Sequence, residues 1–328
     1  MKKFLFTCGD VNGIGPEICI KALNNLSGKK NEKFILAIPK NVFQKVVKKV
    51  YAGFEYRFVD ESSIGEDKNF VSIIDVGKTK QKYGAPTKES GEAAYKAIKI
   101  GVELAKLKLV DAIITAPLSK HSFELAGIKF PGHTEFLADA VNVKDYSMMF
   151  LSNKMKIALA TIHIPITEIS KNISKVKLKK LFSLMNRTLR KDFRIAKPKI
   201  AVLGLNPHAG EKGRIGGEEK KKIIPAIRET KGMNISGPFV PDAFFANKLF
   251  ENFDLTISMY HDQALIPFKM LNFSTGVNYT AGLPIVRTSP DHGTAFDIAG
   301  KCEADCSSIL SAYKWAALIV RNREKNEK

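Results

Sequence analysis

The stretch KFLFTCGDVNGIGPE, residues 3–17, contains the pattern that decides the fold. Its first six residues form an apolar run of strand length, and a turn rich in glycine follows at residues 9–15. Pro16 and Glu17 then suit the first turn of a helix, because proline loses no hydrogen bond there and an acid favours the positive end of the helix dipole. This order predicts a βα unit of a largely parallel sheet covered by helices.

The same alternation continues outward from this unit. A chain of 328 residues also exceeds the ~250–300 residues at which single cores tend to split, so we expect two subdomains. The charged tail at residues 321–328 is expected to fray. Apolar patterning predicts strands at 33–39, 54–60, 71–76, 112–116, 199–205 and 255–260, and a strand-rich segment at 276–288. It also predicts a hairpin formed by 146–152 and 155–164. Helices are predicted at 89–108, 176–193, 218–231 and 305–323.

The charge balance indicates anionic partners without choosing among them. Lysine and arginine number 52 against 33 acids, a net charge of +19, which suits nucleic acid, a membrane surface, or a phosphorylated or carboxylated substrate. The lysines are spread along the predicted helices, which favours a solvated basic surface. No dense basic block interleaved with aromatic residues is present, so the pattern does not favour a nucleic-acid-binding protein.

Cysteine usage and the N-terminus indicate a cytoplasmic protein. Cys8, Cys19, Cys302 and Cys306 are scattered and form no CxxC pair, which excludes a disulfide framework. The apolar run at residues 4–8 is shorter than a signal-peptide core, and no stretch approaches the length of a membrane span.

Polar, glycine-rich and histidine-bearing stretches fall just after predicted strands. In open α/β sheets, ligands bind outside the carboxyl ends of the strands. This placement is the strongest argument from the residues themselves that the chain is an enzyme. The stretches are 7–15, 116–120, His163, 206–217, 261–263 and 287–293.

Three histidines, His163, His208 and His261, close strand-like segments in a similar way. Three imidazoles at one sheet edge would hold a divalent metal with open positions for water or substrate. No HxxxH-type spacing supports this, so the residues alone favour three separately solvated or capped histidines over a metal site. Asp262 could orient His261 or cap the segment that follows it.

Two groups of residues could bind anions. The amides of the turn at 9–15 could cradle an anion, although the turn is neither GxGxxG nor a Walker A loop and could be an ordinary βα connection. The glycine-rich stretch 206–217 could let its backbone approach a ligand closely, or it could be a plain surface loop. Lys269 and Arg287 could grip phosphate or carboxylate, or be surface charges.

Six ordered motifs resemble the 4-hydroxythreonine-4-phosphate dehydrogenase family of vitamin B6 (pyridoxal phosphate) biosynthesis. The resemblance runs from residue 4 to about residue 306. The motifs are the turn at 9–17, TAPLSK (115–120), PGHTE (131–135), GLNPHAGE (204–211), YHDQ (260–263) and GLPIVRTSPDHGTA (282–295).

The resemblance implies an α/β fold like that of isocitrate and isopropylmalate dehydrogenases, with two α/β subdomains and a cleft between them. We expect the first subdomain at residues 1–127 plus 283–328, and the second at 128–282, carrying much of the metal and substrate site and the dimer interface. The family is homodimeric, with active sites at that interface. It oxidises 4-phosphohydroxy-L-threonine at C3 with NAD or NADP, and decarboxylation then gives 3-amino-2-oxopropyl phosphate.

Site residues carry over motif by motif. A divalent metal (Zn, Mg or Co) would be held by His163, His208 and His261, with the set completed across the dimer. The acceptor of the alcohol proton stays open between a metal-held water and Lys269, and Asp262 is the other catalytic candidate. Substrate contacts carry over to His133, Thr134, Lys269, Asn278 and Arg287, and cofactor contacts, within 291–300, to His292, Gly293, Thr294 and Asp297.

Departures from the family pattern and rival functions complete the expectations. Val11–Asn12 replaces Pro-Ala, Ala264 replaces a glycine and Pro290 replaces a valine. These changes remove no proposed ligand and leave the NAD or NADP preference open.

The nearest rival is a dehydrogenase of the same fold with another phosphorylated or carboxylated hydroxy substrate. A metal-dependent hydrolase would need an acidic base of the HExxH kind, which is absent from the sequence, and a nucleic-acid binder would need a recognition motif.

Overall fold

The computed structural model describes residues 1–64, 71–129 and 133–327. Its strands are β1 Lys2–Thr7, β2 Glu32–Ile38, β3 Tyr56–Phe58, β4 Val71–Asp75, β5 Ala112–Thr115, β6 Ser147–Leu151, β7 Lys156–Leu159, β8 Lys199–Leu203, β9 Asn234–Phe239, β10 Leu255–Ser258, β11 Val277–Ala281 and β12 Val286–Pro290.

Helices alternate with these strands along most of the chain. They are α1 Gly15–Leu26, α2 Lys40–Val46, α3 Lys88–Lys106, α4 Lys120–Leu125, α5 His133–Ala140, α6 Ile166–Asn172, α7 Lys175–Phe193, α8 Ile224–Glu229, α9 Pro241–Ala246, α10 His261–Asn272 and α11 Ser307–Glu327. None of the described helices is both long enough and apolar enough to cross a lipid bilayer.

The chain divides into two units. Unit 1 comprises Met1–Asn142 and Leu283–Val320, and unit 2 comprises Val143–Gly282 and Arg321–Lys328. The sequence-based boundary near residue 127 therefore lies about 15 residues before the one observed. The difference has a local cause, because Phe136 of α5 packs its ring against Tyr95 of α3, 5.4 Å between centroids.

Unit 1 is built on a parallel sheet with strand order β3-β4-β2-β1-β5-β12. Its central strand β1 is apolar and fully buried from Phe4 onward, as expected of a strand covered on both faces. Leu5 of β1 lies in register with Ile35 of β2 and Ile113 of β5. The carboxyl ends of β1, β5 and β12 consequently lie side by side at one edge, where the candidate site residues of this unit are found.

Unit 2 has a mixed sheet with strand order β11-β6-β7-β10-β8-β9. The hairpin of β6 and β7 is confirmed, closed by the Ser152 amide donating to the Met155 carbonyl over 3.0 Å. β7, β10, β8 and β9 run parallel. An apolar core of Phe150, Ile157, Leu203, Phe244 and Phe268 fills the space between sheet and helices.

Three parts of the structure differ from the prediction. The segment at 276–288 is two strands, β11 in unit 2 and β12 in unit 1, because the chain turns at Gly282, whose φ is +95°. Strand β9 and the helices α2, α4, α5, α6, α9 and α10 were not predicted from the sequence. The helix expected at 218–231 starts as a π-turn at Glu219–Ile223 before becoming α8.

The prediction of a frayed tail is wrong as far as residue 327. α11 is helical to Glu327, and Arg323 is only 9% exposed. The Arg323 Nε donates to Oδ1 of buried Asp192 over 2.7 Å, and the Tyr279 hydroxyl donates to the other carboxylate oxygen over 2.5 Å. A buried cation paired with a buried anion holds the end of α11 in unit 2.

Candidate active site

The turn at residues 9–15 joins β1 to α1, and we call it the glycine turn. Its first glycine, Gly9, has a φ of +64° and faces the Pro117 carbonyl so closely that a Cβ atom would overlap it. The Asp10 amide donates to that same carbonyl over 2.9 Å. The turn is thus fastened to the loop that follows β5, and only glycine fits at its start.

Asp10 is a buried acid at the centre of this turn that the sequence analysis missed. Its carboxylate accepts hydrogen bonds from the Asn12 amide (2.9 Å), the Ser90 hydroxyl (3.1 Å) and the Ser122 hydroxyl (2.5 Å). Burial raises the pKa of Asp10 above its ordinary value, and these hydrogen bonds oppose the rise. The network ties the glycine turn to α3 and α4. Its signal in the sequence was an acid placed directly after a glycine at a strand end.

Arg287 lies on β12, at the same sheet edge, and is 1% exposed. Its Nε and one terminal nitrogen donate to the Thr115 hydroxyl at 3.0 and 2.7 Å. Burial lowers the pKa of the guanidinium to about 9, and the Glu135 carboxylate acts in the opposite direction. The group therefore stays cationic at neutral pH in a poorly solvated position, where its attraction for an anion is strong. The alternative that Arg287 is a surface charge is wrong.

The PGHTE motif is only partly within the described structure. Pro131 and Gly132 lie outside the described residues, and so does the side chain of His133. Thr134 lies in the first turn of α5 and is buried, at 2% exposure. The predicted substrate roles of His133 and Thr134 stay predictions.

The loop at 291–300, predicted to contact the cofactor, lies on the glycine turn. The Ile14 amide donates to the Thr294 carbonyl over 3.0 Å, and a Cβ on Gly13 would lie 2.6 Å from that same carbonyl oxygen. His292 bonds through Nδ1 to the Gly293 carbonyl at 3.0 Å. A Cβ atom on Gly293 would meet none of the described atoms within 4 Å, so the main chain at Gly293 is open to a ligand. The side chain of Asp297 is also exposed.

The far end of this loop is fastened to α1. Glu17, 5% exposed, accepts from the Ala304 amide over 2.9 Å and pairs with Lys21 at 2.8 Å. Lys21 also donates to the carbonyls of Cys302 (2.9 Å) and Ala304 (2.8 Å). Since the turn and helix that follow β1 hold both ends of the loop, its backbone is fixed before any ligand binds.

In unit 2 the structure brings two of the three predicted metal ligands together. The rings of His163 and His261 lie 5.7 Å apart between centroids. Asp262 places Oδ1 2.7 Å from the Nδ1 of His261, which favours the tautomer whose Nε2 can accept a metal. Among the described residues no group of three or more histidine, cysteine or acidic side chains is arranged to hold a metal. The described structure therefore does not group His208 with His163 and His261.

His208 lies in an unusual turn after β8. Residues 208–212 all have positive φ, from 40° to 76°, and four of these five are not glycine. Glu219, 4% exposed, supports the turn by accepting from the amides of Leu205 and Asn206, each over 2.8 Å. Asn206 also donates to Glu218 over 2.8 Å. Hydrogen bonds from Ser170 and Asn206 lower the pKa of Glu218 to about 2.

Gln263 joins the two strand ends that carry His208 and His261. Its side-chain nitrogen donates to the Gly204 carbonyl after β8, and its oxygen accepts from the Met259 amide after β10, each over 2.7 Å. The YHDQ motif was noted for its histidine and aspartate. The glutamine is the member that fixes the spacing of β8 and β10 at the candidate metal site.

Asn278 and Lys269 complete the predicted substrate contacts. Asn278 is in the middle of β11, and its Oδ1 is buried with no hydrogen-bond partner among the described residues. A buried unpartnered oxygen is costly unless a ligand supplies a donor. Lys269 lies two turns after His261 on α10 and is half-buried.

α10 also presents an exposed apolar face. Ile266, Met270 and Phe273 are 60%, 81% and 84% exposed. They are spaced at i, i+4 and i+7, so they share one side of the helix and its end. Exposed aliphatic and aromatic side chains in a row mark a protein–protein contact more often than an isolated exposed residue does.

Comparison with known proteins identifies the family. The model of a family described as "Pyridoxal phosphate biosynthetic protein PdxA" matches residues 29–316. The chain belongs to the PdxA family. The 4-hydroxythreonine-4-phosphate dehydrogenase of Sulfurihydrogenibium sp. is 40% identical over 99% of this chain and 100% of its own length. The D-threonate 4-phosphate dehydrogenase of Salmonella typhimurium is 36% identical over 97% of this chain and 99% of its own length.

Solved structures confirm the fold expected from the resemblance. The crystal structure of a 4-hydroxythreonine-4-phosphate dehydrogenase from Klebsiella pneumoniae matches with a TM-score of 0.85 and 35% identity, covering 97% of this chain and 98% of that one. An isocitrate dehydrogenase from Methylococcus capsulatus matches with a TM-score of 0.50 and 13% identity, covering 100% of this chain and 88% of that one, a likeness of fold alone. The chain is therefore a PdxA-family dehydrogenase with an isocitrate-dehydrogenase-like α/β fold.

The donors present in this PdxA-family chain fit part of a divalent-metal site. With metal–nitrogen distances of 2.0–2.1 Å, two imidazoles on one ion lie roughly 5–6 Å apart between ring centres. His163 and His261 have that separation, at 5.7 Å. Asp262 supplies the carboxylate that commonly fixes the tautomer of a ligating histidine.

Proposed function

We propose that this chain oxidises the C3 hydroxyl of 4-phosphohydroxy-L-threonine with NAD⁺ or NADP⁺, after which the 3-oxo acid loses CO₂ and gives 3-amino-2-oxopropyl phosphate. The observation that carries the proposal is the buried Arg287, the second residue of β12, whose guanidinium reaches Thr115 at the carboxyl end of β5 and is a cation suited to an anionic substrate. Membership of the PdxA family supports the reaction class.

Arg287 would bind an anionic group of the substrate in a poorly solvated position. Thr115 orients its guanidinium by accepting from two of its nitrogens. His133 and Thr134 are proposed as further substrate contacts from the PGHTE motif. Binding energy from the phosphate would thereby orient the C3–H bond for hydride transfer.

Asn278 and Lys269 are proposed to contact the reacting part of the substrate. The unpartnered Oδ1 of Asn278 can accept a hydrogen bond from an ammonium or hydroxyl group. Lys269 is a candidate acceptor for the proton that leaves the alcohol. A lysine accepts a proton at neutral pH only when its pKa is lowered, for example by a nearby cation.

A divalent cation (Zn, Co or Mg) is proposed at His163 and His261, with His208 completing the set from the second protomer of the dimer. Such a cation polarises the hydroxyl and stabilises negative charge that develops on the substrate oxygen. Asp262 holds the His261 ring in the tautomer that leaves Nε2 for the metal.

The loop at 291–300 is proposed to hold the dinucleotide cofactor through His292, Gly293, Thr294 and Asp297. Support comes from a backbone fixed at both ends while Gly293 faces open space. A loop that is ordered before binding loses little entropy when the cofactor arrives.

We propose a homodimer in which the exposed face of α10 meets the second copy. Ile266, Met270 and Phe273 supply an apolar surface on the helix that begins with His261. Burial of this face in a dimer would place the candidate metal ligands beside the interface. A cytoplasmic location is also proposed, supported by four cysteines that all remain thiols.

The test is NAD(P)H formation, followed by absorbance, with 4-phosphohydroxy-L-threonine as substrate. Turnover is expected to vanish with chelator and to return with Zn²⁺, Co²⁺ or Mg²⁺. Nucleotide binding without turnover would overturn the substrate assignment, and no nucleotide binding would overturn the dehydrogenase assignment.

D-Threonate 4-phosphate is the second candidate substrate. The Salmonella typhimurium relative that carries this name is 36% identical over nearly the whole chain. The two compounds differ at C2, which bears an amino group in one and a hydroxyl in the other. A larger kcat/KM for D-threonate 4-phosphate would reassign the substrate while leaving the site residues and the reaction type unchanged.

A further inference from the structure

A basic groove lies at the carboxyl end of α7 in unit 2, away from the residues discussed so far. It has a volume of about 740 Å³ and is lined by Asn186, Arg187, Arg190, Lys191, Arg194, Ala196 and Asn326. The volume lies within the ~300–1,000 Å³ typical of small-molecule sites. Among the residues that the structure describes, this lining has four positive charges and no acidic side chain.

The four cations are exposed and share one side of the helix end. Arg187, Arg190 and Arg194 follow one another at spacings of three and four residues, so their side chains lie on adjacent turns. None of these arginines, nor Lys191, forms an ion pair with a carboxylate in the part of the chain that the structure describes. Two other basic residues of the same helix do form ion pairs, since Lys175 and Lys179 both contact Glu229, at 2.8 and 3.1 Å.

Stabilisation of the helix end does not account for these cations. Basic side chains near a helix C-terminus often bond to its last carbonyls. Here two asparagines of α11 do so, because Asn322 donates to the Asp192 carbonyl and Asn326 to the Lys191 carbonyl, each over 2.8 Å. Arg194 also adopts a φ of +55°, a conformation that glycine or asparagine adopts at lower cost at this position.

The base of the groove is fixed by buried charge. Asp192, one residue after Lys191, accepts from Arg323 and from the Tyr279 hydroxyl. This network joins α7 to the last turns of α11, so Asn326 stays beside Lys191 without a ligand. The backbone beneath the groove is therefore fixed before binding, while the exposed basic side chains lose rotamer freedom when an anion binds.

We propose that the basic groove binds a small anion with several phosphate charges, either a nucleoside di- or triphosphate or an inorganic polyphosphate. Arginine pairs with phosphate through two parallel N–H bonds, and four cations balance the charge of a triphosphate. The described part of the lining includes no aromatic side chain, so recognition rests on the phosphates rather than on stacking with a base. None of the residues proposed to bind the substrate lines it.

The experiment is calorimetric titration of the full chain with tripolyphosphate, ATP and AMP at low ionic strength. Tripolyphosphate and ATP are expected to bind once per chain, with Kd below about 100 µM, and AMP at least about tenfold more weakly. The variant R187A/R190A should weaken tripolyphosphate binding at least about tenfold while dehydrogenase turnover is unchanged. The matched control K177A/K180A removes two exposed charges from the same helix and should change Kd by less than about twofold.

The two phosphate sources are distinguished by the ratio of the ATP and tripolyphosphate affinities. Equal affinities identify the phosphate chain as the recognised group, and ATP tighter by about tenfold or more identifies a nucleotide; both support the site. Absence of saturable binding, or an equal loss in both double variants, would overturn it. A single-stranded oligonucleotide binding about a hundredfold more tightly than tripolyphosphate would replace the small anion with nucleic acid.

Discussion

The Nδ1 atom of His261 lies 2.7 Å from Oδ1 of Asp262, the next residue in the chain and the second residue of α10. Because a carboxylate beside one ring nitrogen leaves the other as an electron-pair donor, this pair prepares His261 as a ligand. The relationship belongs to the chain itself and is present without any metal.

Asp262→Asn should weaken Zn²⁺ or Co²⁺ binding by about 10- to 100-fold, because the amide no longer fixes the tautomer and the basicity of His261. Titration calorimetry with the metal alone measures the effect. Asp242→Asn on α9, an exposed acid of the same unit, serves as the control and should leave the affinity unchanged. Equal affinities for both variants would remove Asp262 from the site.

Arg287→Lys should raise the KM for the phosphorylated substrate by about 100-fold or more, since an ammonium cannot replace a two-pronged guanidinium contact. NAD⁺ affinity should be unchanged. Steady-state kinetics with both substrates varied separates the two effects. Arg323→Lys, also a buried arginine but one paired with Asp192, controls for lost stability and should leave KM unchanged. A similar rise in both variants would contradict the binding role of Arg287.

Gly13→Ala should displace the loop at 291–300, because the new methyl group would lie 2.6 Å from the Thr294 carbonyl oxygen. The free energy of unfolding should fall by about 1–3 kcal/mol. The KM for NAD⁺ should rise by more than the KM for the phosphorylated substrate. Gly28→Ala meets no atom within 4 Å and is the control. Chemical denaturation and initial rates decide whether turn and loop are coupled.

Glu218→Gln should flatten the dependence of stability on acid pH. The folded-state pKa of Glu218, about 2, lies below its ordinary value of 4.5. Its ionised form therefore stabilises the fold above pH 4.5, and this contribution is lost as the pH falls towards 2. After discounting for solvent screening, the contribution is about 1 kcal/mol. Comparison of unfolding at pH 6 and pH 3 tests it, and an unchanged pH dependence would refute the role of Glu218.

Phe273→Asp together with Met270→Asp should dissociate the proposed dimer, since two charges on its apolar face oppose burial. Light scattering after gel filtration measures the mass. Leu107→Asp places a charge at a different exposed apolar residue (67% exposed) and should leave the mass unchanged. Monomers with full turnover would argue against a metal site completed across the interface.

Strong local patterns made the fold predictable from the sequence. The apolar run at 3–8 and the Pro16–Glu17 start of α1 appear where the pattern placed them, because both depend on neighbours close in sequence. The division at Gly282 was not predictable, since it depends on which sheet each half of a continuous apolar segment joins. β9 was missed because its residues are only partly buried and include Gly237 and Pro238.

The candidate site was predictable in its chemistry and not in its supports. His163 and His261 stand out by residue type and by their position after strands, and Arg287 stands out as a charge inside an apolar strand. Gln263, Glu219 and Asp10 act through hydrogen bonds to backbone groups 59, 14 and 2 residues away. The bond between Asp10 and the Asn12 amide is local, but no spacing in the sequence indicates the longer-range bonds of Gln263 and Glu219. The five consecutive left-handed residues around His208 are equally invisible, because four of them are not glycine.

The pairing of Asp192 with Arg323 has a consequence for the order in which a ribosome makes the chain. The arginine is translated 131 residues after the aspartate. Throughout that interval the Asp192 carboxylate lacks its buried counter-charge, which disfavours packing α7 against β11. The second unit thus cannot complete this part of its interior until the ribosome has passed the codon for Arg323. A transcript truncated before the Arg323 codon should yield a product whose second unit is incompletely folded. Proteases should degrade that product even when its first unit is intact.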